Sequence, residues 1–309
     1  MNATTISVAA TEFGRDMEAG YRTIAALIAT ARARGSRLLV LPEACLGGYL
    51  PSLGGGEESA QAKRRRLRSL PPALALDGPE LRRIIDMAGD LVITLGFCEA
   101  DGDIRYNAAV TLNGDGILGS YRKVHQPLGE NLCYSAGEHY RAFDTPVGRM
   151  GMQICYDKAF PEAARALALD GAEIIASLSA WPAARTATVA RLEDDRWKRR
   201  FDIYDHARAL ENQVVWVAAN QAGTFGSLRF VCSAKIVGPG GELLAGTGVE
   251  PGLATATVDL TEAVGAARGG GMYNLRDRRP DLYQSVVRRH GVVGQPDLPE
   301  HETLEPSHA

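Results

Sequence analysis

The sequence predicts one α/β domain in layers, with a mixed sheet or a pair of sheets. Three observations carry this. Apolar runs of strand length alternate with stretches of helical periodicity. Several runs in the middle of the chain adjoin through short turns, so strands there meet directly rather than across helices. No shift of composition marks a boundary within the body of the chain, and no repeat of 20–50 residues recurs.

The elements follow in order. Residues 6–13 read as a first strand. From Asp16 to Arg34, the residues Met17, Tyr21, Ile24, Leu27, Ile28 and Ala31 recur at helical spacing, and Gly35 is a stop signal. Residues 38–42 are a continuous apolar run, as in a strand buried on both faces. A Gly54-Gly55-Gly56 loop and a basic run, Lys63 to Arg68, separate it from a helix over 79–88. Strands are expected at 91–98, 106–112 and 117–121, the last two joined by the turn Asn113-Gly114-Asp115-Gly116. Then come strand 149–155, helix 161–170, strand 173–178, a long helix over 190–211, strand 214–219 and late strands at 230–237 and 253–259. Residues 1–285 are expected to form the domain. Residues 286–309, rich in Pro, Glu and His, are expected to be an exposed arm.

Bulk properties narrow the function. In 309 residues, 45% are apolar and the net charge is −3, so the whole chain has no electrostatic pull toward nucleic acid or an anionic membrane. The Lys63–Arg68 run is then read first as a solvated face, or as a loop that tunes substrate charge. No run approaches the ~18 apolar residues of a membrane span, and the first ten residues lack the marks of a secretory signal. The five cysteines are odd in number and widely spaced, which points to a reducing, cytoplasmic setting rather than a disulfide framework. The six histidines show no HExxH or HxH spacing, so a metal site is not expected.

Three strand ends carry chemistry. Cys155 ends an apolar run and is followed by Tyr156-Asp157-Lys158, which places a thiol at a strand mouth where α/β sheets bind ligands. A free thiol of pKa ~8.5 is only slightly ionised at neutral pH and needs a base or a cation beside it. Glu43, between Leu38-Leu39-Val40-Leu41-Pro42 and Ala44-Cys45-Leu46, is a desolvated carboxyl suited to proton transfer. Lys123, after Tyr121-Arg122, offers an ammonium that favours thiolate and stabilises an oxyanion. His125 is the rival base of a Cys–His pair, but no orienting acid is evident for it.

Together these segments resemble the nitrilase superfamily of carbon–nitrogen hydrolases, from Ile6 to Leu260. The carrying motifs are Leu-Pro-Glu-Ala-Cys-Leu-Gly-Gly-Tyr at 41–49, Tyr-Arg-Lys-Val-His at 121–125 and Gln-Ile-Cys-Tyr-Asp-Lys-Ala-Phe-Pro-Glu at 153–162. The resemblance implies a four-layer α-β-β-α sandwich in a single domain, dimerised through helices, and a Glu43–Lys123–Cys155 triad needing no cofactor. It implies a second glutamate, which falls on Glu130 rather than Glu138, because Ala136-Gly137-Glu138 matches the family's Pro-Gly-Asp turn. By analogy, the N–H of Tyr156 shares the oxyanion with Lys123, and Tyr49, Tyr156 and Trp181 are candidates for the substrate pocket. The substrate is expected to be a small amide or carbamoyl-amide, with a nitrile as the alternative and a silent binding protein as the reading from another class. Tyr156-Asp157 favours the amidase side. The family's carboxylate-clamping arginine, four residues after the cysteine, is Ala159 here, so a clamp would need Lys158 or Arg185 instead.

Overall fold

The computed structural model describes residues 3–54, 59, 61, 64 and 68–283. The C-terminal arm and most of the Lys63–Arg68 run lie outside the described residues. In chain order the elements are β1 (Ala3–Thr11), helix Met17–Ala33, β2 (Leu38–Val40), helix Pro79–Ala88, β3 (Val92–Asp101), β4 (Ile104–Asn113), β5 (Gly116–Arg122), β6 (Phe143–Thr145) and β7 (Gly148–Ile154). They continue with helix Pro161–Leu169, β8 (Ile174–Ser179), helix Arg196–Asn212, β9 (Val215–Gln221), the short hairpin β10 (Thr224–Phe225) and β11 (Leu228–Arg229), β12 (Lys235–Val237), β13 (Leu243–Gly246), β14 (Gly252–Asp259) and helix Leu260–Gly269.

Twelve strands form one hydrogen-bonded sheet that doubles back on itself. One half runs β5-β4-β3-β2-β1-β14, the other β6-β7-β8-β9-β12-β13. They join only at the carboxyl end of β1, where Ala10 pairs with Asn220 and Thr11 with Gln221. Strands β3, β2, β1, β9, β8 and β7 are mutually parallel, and the rest pair antiparallel.

Side-chain alternation then makes four layers. Leu38 and Val40 of β2 enter a core shared with Met150, Met152 and Ile154 of the opposite half. Leu39 and Leu41 turn the other way, into a core with Tyr21, Ile24 and Ile28 of the first helix and Leu81 and Ile84 of the second. Both faces of β2 are thus covered, which is why the run reads as continuously apolar. Across the middle, Thr111 Oγ1 of β4 donates to Met152 Sδ of β7 at 3.3 Å. Helices Pro161–Leu169 and Arg196–Asn212 pack on the outside of the second half through Leu167 and Phe201.

The differences from the sequence reading have local causes. The long helix starts at Arg196, because Asp195 caps it by accepting from the N–H groups of Trp197 and Lys198. Residues 192–194 form a separate turn. The late strand at 230–237 shrinks to β12, since Cys232 and Ser233 adopt positive φ (56° and 68°), which breaks the strand. Among the described residues no helix is long and apolar enough to cross a membrane.

Candidate active site

The carboxyl ends of the parallel strands converge on one edge, together with the end of β5. Glu43 follows β2, Lys123 follows β5, Cys155 follows β7 and Ala180 follows β8. All four are buried.

Lys123 is the hub. Its Nζ lies 2.9 Å from Glu43 Oε1, and 3.0 and 2.8 Å from the two carboxylate oxygens of Glu130. Glu43 also accepts from Asn107 Nδ2 (2.7 Å) through Oε1 and from the Ala180 N–H (2.6 Å) through Oε2. Its backbone carbonyl is held by Gln221 Nε2. Glu130, from the short turn Leu128–Leu132, further accepts from the Tyr49 hydroxyl and from Asn107 Nδ2. An ammonium and two carboxyls, fully enclosed, are thus held by an amide side chain, a phenol and a backbone N–H.

Close backbone approach makes this possible. A Cβ on Gly96 of β3 would stand 2.5 Å from Ala44 N and 2.7 Å from Glu43 Cα, so only glycine lets the Glu43 turn lie against β3. The turn at Gly137 fits against Lys123 in the same way. Its N–H donates to the Lys123 carbonyl, and a Cβ there would be 2.1 Å from Arg122 O.

Cys155 begins the turn Cys155–Ala159 with φ +52°, a left-handed conformation that a non-glycine residue adopts at a cost of roughly 1–3 kcal/mol. What holds it there is Asp157. One carboxylate oxygen accepts from the Ile154 N–H (3.0 Å) and the Tyr121 hydroxyl (2.6 Å), the other from the His125 N–H (2.9 Å) and the Tyr140 hydroxyl (3.1 Å). The cysteine turn is therefore tied to the segment that carries Lys123. His125, offered above as a rival base, belongs to this tether. Its Nδ1 is 3.0 Å from Asp157 Oδ1, and its ring stacks on Phe160 at 3.6 Å. Replacing Asp157 with asparagine places an amide among N–H and O–H donors. A loss of about 2–3 kcal/mol is expected, read as a fall in the thermal midpoint, with a matching loss of turnover.

Burial pushes the Cys155 thiol well above its ordinary pKa, and Glu43 and Glu130 add to this, against the opposing pull of Lys123 and Lys158. The thiol rests protonated: Lys123 favours the thiolate, in the direction that the sequence suggested, but burial outweighs it. Burial also raises Glu130 to about 7, with Glu43 acting in the same direction and Lys123 opposing. For Lys123, burial favours the neutral amine, but the charges of Glu130 and Glu43 prevail and hold it protonated.

Above this cluster opens a cavity of about 330 Å³. Cys155 is on its floor, and Tyr49, Tyr156 and Trp181, all candidates from the sequence, are in its walls. Trp197, Arg200 and Tyr204, from the helix Arg196–Asn212, complete it and were not foreseen. Neither replacement for the missing clamp is supplied as the sequence reading allowed. Lys158 is buried against Asp205 at 2.5 Å, with its Nζ over the Phe201 ring, and Arg185 donates to the Gly54 carbonyl. Among the described residues no group of three His, Cys, Asp or Glu side chains could hold a metal ion.

The family profile described as carbon–nitrogen hydrolase matches residues 6–268. The chain belongs to the carbon–nitrogen hydrolase family. An N-carbamoylputrescine amidase from Solanum tuberosum is 31% identical, covering 93% of this chain and 96% of its own. A nitrilase from Pyrococcus abyssi is 32% identical, covering 78% and 83%. The structure of an amidase from Nesterenkonia AN1, of the nitrilase superfamily, superposes with a TM-score of 0.70 at 25% identity, covering 92% of this chain and 97% of its own. As a carbon–nitrogen hydrolase, the protein has the expected fold, and its class of chemistry is hydrolysis of a C–N bond by an amidase-type enzyme.

Proposed function

We propose that this protein hydrolyses a small amide or carbamoyl-amide through a thioester on Cys155, and that Glu43, Lys123 and Glu130 are the other working residues. The observation that carries the reading is the placement of Lys123. It is a fully buried ammonium shared by two carboxyls, next to a cysteine strained at the floor of a cavity. Such an arrangement costs stability, and chemistry at the cavity floor gives it a use.

Because the thiol rests protonated, its proton must leave as the sulfur attacks. Glu43 takes that proton while Sγ bonds to the carbonyl carbon, and the C=O pair moves onto oxygen. Lys123 Nζ and the N–H of Tyr156 stabilise this oxyanion. When the tetrahedral adduct collapses, the C–N bond breaks, Glu43 returns its proton to the nitrogen, and ammonia leaves. Water, deprotonated by Glu43, then cleaves the thioester to the acid and restores the thiol. Glu130 fixes Lys123 in place and shares its charge. The relative that is a nitrilase, similar to this chain at comparable identity, supports a second reading, in which the same thiol attacks a nitrile carbon.

Assembly and setting complete the proposal. Ile203 and Leu210, one heptad apart on the helix Arg196–Asn212, are 56% and 52% exposed, which supports a homodimer joined through that helix. Among the described residues no two cysteines form a disulfide, which supports a reducing, cytoplasmic location.

The test is a panel of amides, ureides and nitriles, assayed for ammonia, with the unaltered protein acid-quenched during turnover and examined by intact mass beside Glu43→Gln. An adduct of substrate mass less ammonia is expected on Cys155 in the quenched protein, and none in Glu43→Gln, which lacks the base for both half-reactions. Turnover of amides without any such adduct, or an adduct on another cysteine, overturns the mechanism. Turnover confined to nitriles selects the second reading.

A further inference from the structure

We propose that Arg200 selects substrates whose far end is anionic, so that the preferred amide has an apolar body and a carboxylate opposite the scissile bond. The inference rests on the amidase reading and names the substrate class for the same site.

Arg200 is the only charged side chain among the described residues that line the cavity. It is exposed, on the helix Arg196–Asn212, and the helix gives it nothing to pair with. The positions three and four residues away are Arg196, Trp197, Ile203 and Tyr204, none of them acidic. The nearby carboxylates are engaged elsewhere. Asp195 caps the helix and accepts from the Ala184 N–H. Asp202 pairs with Lys198 at 2.6 Å and Lys235 at 3.1 Å, and Glu193 and Asp194 face Arg191. Glu43 and Glu130 lie beneath the floor, closed around Lys123.

The cavity that Cys155 and Arg200 both line is also walled by Tyr156, Trp181, Pro182, Trp197 and Tyr204. They accept a flat or apolar acyl chain. Aromatic walls can also attract a cation. Here, however, a guanidinium shares those walls and no described lining carboxylate offsets it, so an ammonium-ended substrate meets a like charge. A planar guanidinium whose donors meet no partner among the described residues is suited to a carboxylate, which it can bind with two parallel hydrogen bonds. In this chain the helix Arg196–Asn212 supplies to the cavity a cation that Ala159 cannot supply from the cysteine turn.

The experiment measures kcat and KM on three matched series of straight-chain primary amides with two to five intervening carbons. Their far ends are carboxylate, methyl and ammonium. The carboxylate series is expected to have the highest kcat/KM, mainly through KM, with the ammonium series lowest. In Arg200→Ala the carboxylate-to-methyl ratio is expected to fall about tenfold. Arg200→Lys should keep part of it, and Arg200→Glu should reverse the order of the charged series. A carboxylate-to-methyl ratio unmoved by all three substitutions overturns the proposal, as does a wild-type preference for ammonium. Failure to turn over any amide, the methyl series included, instead overturns the amidase reading beneath it.

Discussion

Replacing Cys155 with alanine is expected to abolish amide turnover, by at least about 10⁴-fold, while leaving the thermal midpoint unchanged or raised. The two halves of this result have separate causes. Without Sγ no covalent intermediate can form, and Glu43 and Lys123 retain only weak assistance to water. Stability behaves otherwise because of where the thiol sits. The sulfur faces the cavity, so its loss enlarges space that is already open rather than creating a sealed void. It is also a polar group whose burial, before any neighbouring charge, holds it protonated. A kinetic companion separates this site from the bland alternative of a silent protein on the same fold. Chloroacetamide is small enough for the cavity that Cys155 lines and is expected to modify it faster than Cys45, which is fully buried with its thiol donating to the Gly96 carbonyl. Equal rates at the two cysteines, or residual turnover in Cys155→Ala above that of water, would overturn the assignment of the nucleophile.

The parts of this site that were legible in the sequence are those that make their own contrast. Glu43 and Lys123 are charged residues at the ends of apolar runs, and Cys155 closes a third run. Each is conspicuous because burial of the run forces burial of the charge. The helix Pro79–Ala88 was legible to the residue, since Pro79 starts it and Leu81, Ile84 and Ala88 mark its buried face. What escaped notice has no such contrast. Asn107 is one amide within an ordinary strand, and Ala180 contributes only its backbone N–H. Asp157 was noted as a marker of the amidase branch, yet its role is to accept four donors from three segments, a convergence that only the folded chain displays. The helix Arg196–Asn212 shows the limit most clearly. It buries Asp205 and Arg208 along with Phe201, so polarity does not report which face packs. The pocket contribution of Trp197, Arg200 and Tyr204 was therefore invisible. Likewise, β14 was anticipated, but its eight-residue antiparallel register against β1, from Ala3–Asp259 to Ala10–Gly252, joins the two ends of the domain and has no local signature.

Replacing Lys123 with methionine is expected to cost about 3–5 kcal/mol of stability at pH 8 and at least about 10²-fold in kcat. The size follows from what remains. Methionine fills most of the volume, so packing is preserved, but Glu43 and Glu130 are left facing each other in a site closed to water, with their shared cation gone. The pH dependence identifies the cause. Glu130 already binds its proton up to about 7 in the native protein, above the ordinary carboxyl range of an unfolded chain near 4.5. Between those values the folded state holds more protons than the unfolded state. The contribution of Glu130 to stability is therefore fully present below about 4.5 and is lost as pH rises through about 7. Removing Lys123 takes away the influence that lowers this pKa, so the upper edge of the window must move higher. The deficit of the variant should consequently be largest above pH 8 and shrink steadily toward pH 5, as protons replace the missing ammonium. Chemical denaturation of both proteins across pH 5–9 measures it. A deficit independent of pH would mean that Lys123 contributes by packing alone, and the charge-sharing arrangement at the centre of this mechanism would fall with it.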